Sequence, residues 1–160
     1  MEVIILNLLV SMNECEYIKY VQDKTQRYAD TLNENTFEIT NESAFVRAKK
    51  AMNGYLPNGF YTKDHEFFCV RENGNVLGFV WIKIVRETKS AFLYEIFLKD
   101  QYRSSGIGKK VMTELEALLS IRDIKYFKLH VFGNNSHAIN LYNQLGFQIA
   151  GINMYKEIVK

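Results

Sequence analysis

The stretch that decides the fold runs from Gln101 to Lys110 and reads QYRSSGIGKK. It follows an apolar segment, Ala91–Leu98, and leads into a segment whose apolar residues recur at helical spacing. We therefore predict a strand, a glycine-containing turn and a helix from about Gly106 to Ser120. Backbone N–H groups at the start of a helix have no partner within the helix, and the helix dipole favours anions there. Gly106 and Gly108 would let a phosphate group come close to this backbone.

Two interpretations of the basic residues around this turn remain open. Arg103, Lys109 and Lys110 lie at the positive end of the predicted helix, where cations are disfavoured unless a bound polyphosphate compensates them. A glycine turn with solvated lysines accounts for the same pattern. The turn is not a P-loop, because Arg103 and Lys110 occupy the positions of its first glycine and its hydroxyl residue. It is not a dinucleotide-binding motif either, because Val111 replaces the third glycine.

A second informative segment extends from Asn135 to Phe147. Its spacing predicts a helix over 135–145, ended by Gly146. Asn135 could cap this helix or bind a ligand amide with its side chain. Tyr142 lies on the apolar face of the helix, where an ordinary core tyrosine would also lie.

Taken together, the two segments resemble the GCN5-related N-acetyltransferases. The matching residues are Arg103-x-x-Gly106-x-Gly108 and Asn135-x-x-Ala138-x-x-x-Tyr142-x-x-x-Gly146-Phe147. The resemblance is firm from about Phe67 to Phe147, and the chain also looks like a bacterial subgroup of these enzymes that shares the run Leu129–Phe132. Ser104 stands where the family often has glycine, and no proline stands near Asp100. Neither difference removes an N–H donor, so we expect cofactor binding to persist.

The resemblance implies a mixed α/β fold, in which about four helices flank a mostly antiparallel sheet. The sheet would splay in a V between the strands that end near Leu98 and Val131, and acetyl-CoA would lie in this split. Its pyrophosphate would meet the backbone of the glycine turn, and its pantetheine arm would pair with strand backbone and with Asn135. The residues that the resemblance assigns to the cofactor are Phe97, Leu98, Arg103, Ser104, Ser105, Gly106, Ile107, Gly108, Lys109, Asn135, Ala138 and Tyr142. No metal is expected.

Acetyl transfer to a primary amine benefits from a base, because a lysine-like amine has an ordinary pKa of about 10.4. Glu95 is the only charge in the apolar run Ala91–Leu98, and we favour it as the base, directly or through water. A structural ion pair with Lys83 or Arg86 is the alternative for this carboxylate. His130 is the second candidate, because its ordinary pKa of about 6.5 suits a base, although a structural strand histidine is the alternative.

The departing CoA thiolate needs a proton or a hydrogen bond, and an oxyanion needs a donor. By resemblance, Tyr142 would lie near the thioester sulfur and is the candidate acid. A backbone N–H near Leu98 is the family-like oxyanion donor.

Length and composition set the class of protein. The chain has 160 residues, 48% of them hydrophobic and 24% charged, with a net charge of +2. These values predict one globular domain over 1–160, and the small charge argues against a nucleic-acid partner. The apolar start, Val3–Val10, is too short to span a membrane and has no basic residues before it, so it predicts a strand. Cys15 and Cys69 form no metal motif, and we expect a cytoplasmic protein with reduced thiols.

The rest of the chain supplies the sheet and its covering helices. Helices are predicted after Ser11 or Asn13 and over 43–52, 106–120 and 135–145. Strands are predicted over 3–10, 66–71, 76–85, 91–98, 125–131, 147–150 and 153–158. Asn73-Gly74 predicts a type I′ hairpin turn. The strand at 153–158 could pair across the edge of a homodimer.

The sequence therefore predicts an acetyl-CoA-dependent N-acetyltransferase whose acceptor is an amine of a small molecule or a protein. A non-catalytic acyl-CoA-binding module on the same fold is one alternative. The other is an interaction domain in which the 10 Tyr, 11 Phe and 1 Trp form a partner surface.

Overall fold

Five strands form one mixed sheet in the computed structural model, which describes residues 7–35, 37 and 39–159. Within these residues the strands follow in chain order: β1 (Leu9–Ser11), β2 (His65–Glu72), β3 (Asn75–Val85), β4 (Ser90–Leu98) and β5 (Tyr126–Leu129). Neighbouring strands are antiparallel except β4 and β5, which are parallel. The α-helices are α1 (Glu14–Asn35), α2 (Ala44–Tyr55), α3 (Ile107–Ile121) and α4 (Ser136–Gln144). This mixed, mostly antiparallel arrangement confirms the predicted fold class.

Helices cover both faces of the sheet, which is why the central strands are apolar on both sides. On one face, Val111 of α3 packs in a buried cluster with Ile82 of β3. In a second buried cluster, Tyr20 of α1 packs with Trp81 of β3. Neighbouring strand residues point to opposite faces, so the two clusters lie on opposite sides of the sheet. We call these the α3 face and the α1 face.

Local signals fix several element ends. Asn13, rather than Ser11, caps α1: its Oδ1 accepts a hydrogen bond from the Glu16 N–H at 2.8 Å, and the Glu16 carboxylate accepts one from the Asn13 N–H at 3.0 Å. Asn73 and Gly74 have φ values of 51° and 79° and turn the chain between β2 and β3, which confirms the predicted hairpin.

The end of α4 is a left-handed glycine cap. Gly146 has a φ of 89°, and its N–H donates to the Asn143 carbonyl at 3.1 Å. The Phe147 N–H donates to the Tyr142 carbonyl at 3.0 Å, which completes a Schellman motif. The cap therefore holds Phe147 next to Tyr142 in the last turn of α4.

The sheet differs from the prediction at both edges. The predicted strands at 147–150 and 153–158 are wrong, because the described chain forms no strand after β5. Residues 149–159 form no helix or strand and expose their large apolar side chains. β5 ends at Leu129, two residues before the predicted end. Half of the predicted first strand, residues 3–6, lies outside the described residues, and β1 begins at Leu9.

Candidate active site

A wedge opens between β4 and β5. The two strands pair only over Ser90–Leu93 and Tyr126–Leu129. β4 then continues along β3 as far as Leu98, with no β5 residue beside it in the described pairing. The splay predicted between these strands is therefore present, and it starts just beyond Leu93.

A β-bulge lies where the wedge begins. Trp81 of β3 pairs with Glu95, whereas the next residue, Ile82, pairs with Leu93, so that Tyr94 is the extra residue of β4. As a result, Tyr94 and Glu95 both face the α1 side of the sheet. Tyr94 stacks on Trp81 with ring centroids 4.3 Å apart, and Glu95 meets side chains of α1.

The pairing of β4 with β3 decides which backbone groups face the wedge. The Lys99 N–H donates to the Leu77 carbonyl at 2.9 Å, so in this antiparallel register the polar groups of Phe97 also point toward β3. The groups of Ile96 and Leu98 point the other way, into the wedge. The backbone groups beside the wedge are therefore those of Ile96 and Leu98, and the cofactor contact predicted at Phe97 and Leu98 stays a prediction.

Gly78 is a residue of this region that the sequence analysis missed. It pairs with Leu98, and a Cβ added to it would lie 1.9 Å from the Phe97 carbonyl oxygen. Only glycine permits this approach of β4 to β3. An isolated glycine inside a strand pattern was the available signal.

The start of α3 presents free backbone donors beside the wedge. Gly106 precedes the helix with a φ of 82°, and the first turn is closed by the Lys110 N–H, which donates to the Gly106 carbonyl at 3.2 Å. The N–H groups of Ile107, Gly108 and Lys109 lie before that bond and have no helical partner. Ser104, with a φ of 58°, helps to turn the chain toward these donors.

Arg103 ties this turn to the end of β4. Its Nε donates to the Leu98 carbonyl at 2.8 Å, and its Nη1 lies 3.1 Å from the Asp100 carboxylate. The Arg103 backbone N–H donates to the Asp100 carbonyl at 3.2 Å. The predicted contact of the pyrophosphate with this N–H stays a prediction, and the N–H already has a backbone partner. The neighbouring Ser105 hydroxyl likewise donates to the Tyr102 carbonyl at 2.7 Å.

Gly108 lines the gap between β4 and α4. A Cβ at this position would make ordinary contacts, 3.7 Å from a methyl carbon of Leu141 and 3.8 Å from one of Leu98. Alanine would therefore fit, but a larger side chain would extend into the space between the two elements. The Lys109 side chain, one residue further, is exposed to solvent.

Glu95 is held by a cluster of α1 side chains, and its side chain is 11% exposed. It accepts hydrogen bonds from the Tyr20 hydroxyl at 3.0 Å and from Arg27 Nη2 at 2.7 Å, and Lys24 Nζ lies 3.1 Å away. The predicted pairing with Lys83 or Arg86 is therefore wrong. Tyr20, Lys24 and Arg27 share one face of α1 at helical spacing, a signal that could have been noticed.

The electrostatics of this cluster keep Glu95 ionised. Burial acts to raise the pKa of the Glu95 carboxyl, but the charges and hydrogen bonds of Lys24 and Arg27 outweigh it and hold the pKa below its ordinary value. Burial raises the pKa of the Tyr20 phenol well above its usual value, and the adjacent Glu95 charge reinforces the effect. Tyr20 therefore remains a hydrogen-bond donor to the carboxylate.

His130 lies just beyond the last residue of β5. Leu129 packs with the α3-face cluster, so strand alternation directs His130 toward the α1 face, the side that Glu95 occupies. The His130 ring is exposed and meets Phe132 edge-on, with centroids 4.8 Å apart.

Tyr142 lies on α4, on the other side of the wedge. Its ring is half-buried and packs against Phe147 at 5.6 Å, and burial raises the pKa of its hydroxyl. At the start of the same helix, Asn135 Oδ1 accepts a hydrogen bond from the Ala138 N–H at 3.2 Å. The cap uses the oxygen of the Asn135 amide, and its NH₂ group is the part that could donate to a ligand.

Two further features of the described residues bear on the kind of site. Among the described residues, no three His, Cys, Asp or Glu side chains are grouped so that they could hold a metal ion. None of the described helices combines the length and the apolar character that a membrane span requires.

Comparison with known proteins gives a consistent picture. The sequence model of the acetyltransferase (GNAT) family matches residues 20–147. YycN of Bacillus subtilis, an uncharacterized N-acetyltransferase, is 29% identical over 154 residues, which cover 94% of this chain and 98% of YycN. The spermine/spermidine N(1)-acetyltransferase of B. subtilis is also 29% identical, over 92% of this chain and 81% of that protein.

Solved structures agree with these relatives. The crystal structure of YycN superimposes with a TM-score of 0.89 at 28% identity and covers 96% of this chain and 99% of that chain. The PaiA N-acetyltransferase of Thermoplasma acidophilum, solved in complex with coenzyme A, has a TM-score of 0.67 at 17% identity and covers 91% of each chain. The second likeness is one of fold alone.

Proposed function

The chain belongs to the acetyltransferase (GNAT) family and is an acyltransferase, and on this premise we propose that it moves the acetyl group of acetyl-CoA to a primary amine of a small molecule or a protein. The observation that carries the proposal is the wedge itself. It places the inward-facing backbone of Ile96 and Leu98 next to the helix-start donors of Ile107, Gly108 and Lys109.

The donors fit the chemistry of this cosubstrate. A pyrophosphate is an anion, and the first N–H groups of α3 point away from the helix at its positive end. A pantetheine arm carries amides, which can pair with the polar groups of Ile96 and Leu98 as a further strand would. The Asn135 NH₂ group is a third donor to the same arm. When bound, acetyl-CoA supplies an activated acyl carbonyl and a thiolate leaving group.

We assign the role of acid to Tyr142. Its pKa is raised by burial, so the hydroxyl keeps its proton at neutral pH and can donate it to the departing sulfur. A thiol with a pKa of about 8.5 needs little assistance, so the contribution of Tyr142 lies at the low end for an acid catalyst.

The contacts of Glu95 favour a positioning role over the role of base that its isolation in β4 suggests. An ionised carboxylate offers about four lone-pair sites. Tyr20 and Arg27 occupy those of Oε1, and Lys24 and the Arg27 Nε, at 3.1 and 3.5 Å, face Oε2. Because this carboxylate is saturated and its pKa is lowered, it has little capacity to accept a proton from an amine. We propose that Glu95 anchors α1 to the bulge beside the wedge.

We therefore propose His130 as the base. It is exposed, stands at the mouth of the wedge and faces the α1 side, from which an acceptor could approach. The charge around it also assists deprotonation. Lys24 and Arg27 lie on the α1 side of the sheet with Glu95, and cations near a bound amine would favour its neutral, nucleophilic form.

The two cysteines bear on the compartment in which the protein acts. Both Cys15 and Cys69 are free thiols, as proteins of reducing compartments have. We therefore propose a cytoplasmic location.

The proposal is tested by incubating the purified chain with acetyl-CoA and a panel of primary amines, including polyamines, amino acids and N-terminal peptides. Thiol release is recorded for each amine, with acetylated product confirmed by mass spectrometry. We expect amine-dependent thiol release that is abolished when every amine is omitted. A protein that binds acetyl-CoA but acetylates none of these classes would support the acyl-CoA-binding alternative instead.

A further inference from the structure

A surplus of positive charge lies on the α1 face beside the wedge. Lys24 and Arg27, one turn apart on α1, both pair with Glu95, at 3.1 and 2.7 Å, and with no other carboxylate in the part of the chain that the structure describes. Their side chains are only 14% and 24% exposed. One carboxylate balances one of the two cations, so a positive charge remains where water screens it poorly.

The other acidic residues of α1 near these cations do not remove the surplus. Asp23, Asp30 and Glu34 are exposed, and none of them pairs with either cation. The Asp30 carboxylate instead accepts a hydrogen bond from the Gln26 amide at 3.0 Å. Exposed charges are screened by water and salt, so these carboxylates compensate a mostly buried cation only weakly.

Arg27 keeps part of its guanidinium available for a ligand. Its Nη2 donates to Glu95 Oε1 at 2.7 Å and its Nε faces Oε2 at 3.5 Å, whereas its Nη1 has no partner among the described residues and is not sealed from solvent. The guanidinium lies over the Phe97 ring, with Cζ 4.0 Å from the ring centroid, which holds the group in place. A guanidinium fixed in this way presents its remaining N–H groups to an anion with little loss of side-chain freedom.

The shape of the wedge brings these donors close to the reacting end of an acyl-CoA bound as proposed. The phosphates would lie at the start of α3, which follows Leu98 in the chain, and the wedge closes at Leu93. An acyl arm that enters from the phosphate end therefore ends along this stretch of β4, beside Glu95. On the α3 face the stretch is filled, because Ile96 and Leu98 pack against the buried cluster. An acceptor therefore approaches from the α1 face, where Lys24 and Arg27 lie.

We propose that the acceptor is a primary amine that also carries an anionic group, a carboxylate or a phosphate, and that Arg27 and Lys24 bind this group. The inference rests on the proposed function, because it concerns the acceptor of the same reaction. The anion balances the charge that Glu95 leaves uncompensated, whereas a polycation such as spermidine meets the surplus positive charge and is disfavoured.

The transfer itself is that of the proposed function. The amine nitrogen forms a bond to the acyl carbon and the carbon–sulfur bond breaks. The amine proton passes to His130, and the departing thiolate takes a proton from Tyr142. Arg27 and Lys24 touch neither of these bonds and act by binding the acceptor.

Matched acceptors test the charge preference. We measure kcat/KM for glycine, β-alanine and γ-aminobutyrate against their amides, for aminoethyl phosphate against ethanolamine, and for spermidine. We expect at least one anionic amine to exceed its neutral partner by about tenfold and spermidine to be a poor acceptor. The carboxylate and phosphate pairs show which anion the site prefers.

The outcomes separate this inference from the proposed function. Equal values of kcat/KM within every pair, or a preference for spermidine, would overturn the inference and leave amine acetylation intact. Binding of acetyl-CoA without turnover of any of these amines would contradict both.

Two single substitutions then assign the preference to the cluster. Lys24→Met and Arg27→Met each remove one positive charge, and in both variants Glu95 keeps the other cation and the Tyr20 hydroxyl as partners. We expect each variant to lose about tenfold in kcat/KM for the anionic amine, mostly through KM, and less than about twofold for its neutral partner. Lys19→Met, which removes an exposed charge from the same helix, is the matched control and should keep the wild-type ratio.

The ratio of the two kcat/KM values distinguishes binding of the anion from a structural role of the cluster. A structural role would lower both values in proportion, and that result would overturn the inference. A loss of acetyl-CoA affinity in Lys24→Met or Arg27→Met, measured by calorimetry, would overturn it too, because the cations would then serve the phosphates of the cosubstrate.

Discussion

Replacing Glu95 by glutamine tests the positioning role that we assign to it. The substitution keeps the shape of the side chain but removes the charge that compensates Lys24 and Arg27. Removing one partner of a buried ion pair costs about 3–5 kcal/mol. Lys24 and Arg27 are 14% and 24% exposed, and glutamine can still accept a hydrogen bond from Tyr20, so we expect a loss of about 2–3 kcal/mol in the free energy of unfolding.

Equilibrium unfolding in urea at neutral pH measures this loss. Glu66→Gln is the matched control, because Glu66 pairs with Arg122 at 2.5 Å but both side chains are more exposed, at 34% and 29%. The control should lose less than about 1 kcal/mol. Equal losses in the two variants, or a Glu95→Gln protein as stable as the wild type, would show that the α1 cluster is not the anchor we describe.

The difference in the free energy of unfolding between the wild type and Glu95→Gln should depend on pH. The pKa of Glu95 lies below its ordinary value of 4.5 in the folded state. Its contribution to stability is therefore complete above about pH 4.5 and is lost as the pH falls through the lowered pKa. Glu95→Gln has no such group, so the stability difference between wild type and variant should narrow as the solution is acidified. A difference that stays constant down to the acid transition would contradict this account.

Three further predictions concern the wedge. Tyr142→Phe removes the hydroxyl but keeps the ring and its packing on Phe147, so turnover should fall by about 10²-fold with little change in acetyl-CoA affinity. Turnover within about twofold of the wild type would contradict the acid role. His130→Gln should abolish the acidic limb of the pH profile of kcat/KM, whereas Glu95→Gln should keep that limb. The reverse outcome would return the role of base to Glu95. Gly78→Ala should lower the free energy of unfolding by about 1–3 kcal/mol, because the added Cβ would lie 1.9 Å from the Phe97 carbonyl oxygen. Gly133→Ala, whose added Cβ would have no atom within 4 Å, is the control in the same urea titration.

Features with local sequence signals could be predicted. The turn before α3, the Asn73-Gly74 hairpin and the glycine cap of α4 depend on residues within a few positions of each other. The apolar run of β4 also agrees with its position inside the sheet, between β3 and β5. The turn before α3, the cap of α4 and β4 border the wedge, and together with the hairpin they explain why the fold class followed from the sequence.

Features that depend on distant residues could not be predicted in the same way. The partners of Glu95 come from a helix, with Arg27 68 positions earlier in the chain. The helical spacing of Tyr20, Lys24 and Arg27 shows that they share one face of α1, but nothing local shows that this face meets Glu95. The extra residue Tyr94 in β4 decides which side chains face α1, yet a bulge leaves no distinct mark in an apolar run. A strand was predicted over 153–158, but a strand needs an edge to pair with, and in the described chain Tyr155 of this segment stacks on Phe37 instead.

The central claim is that the wedge and the start of α3 hold acetyl-CoA, and a calorimetric titration of acetyl-CoA tests it most directly. We expect the wild type to bind, and Gly108→Val to bind at least about tenfold more weakly, because the larger side chain enters the gap between Leu98 and Leu141. Gly54→Val, on α2 with no atom within 4 Å of its added Cβ, should bind as the wild type does. A wild-type protein that binds no acetyl-CoA, or a folded Gly108→Val protein with unchanged affinity, would contradict the account.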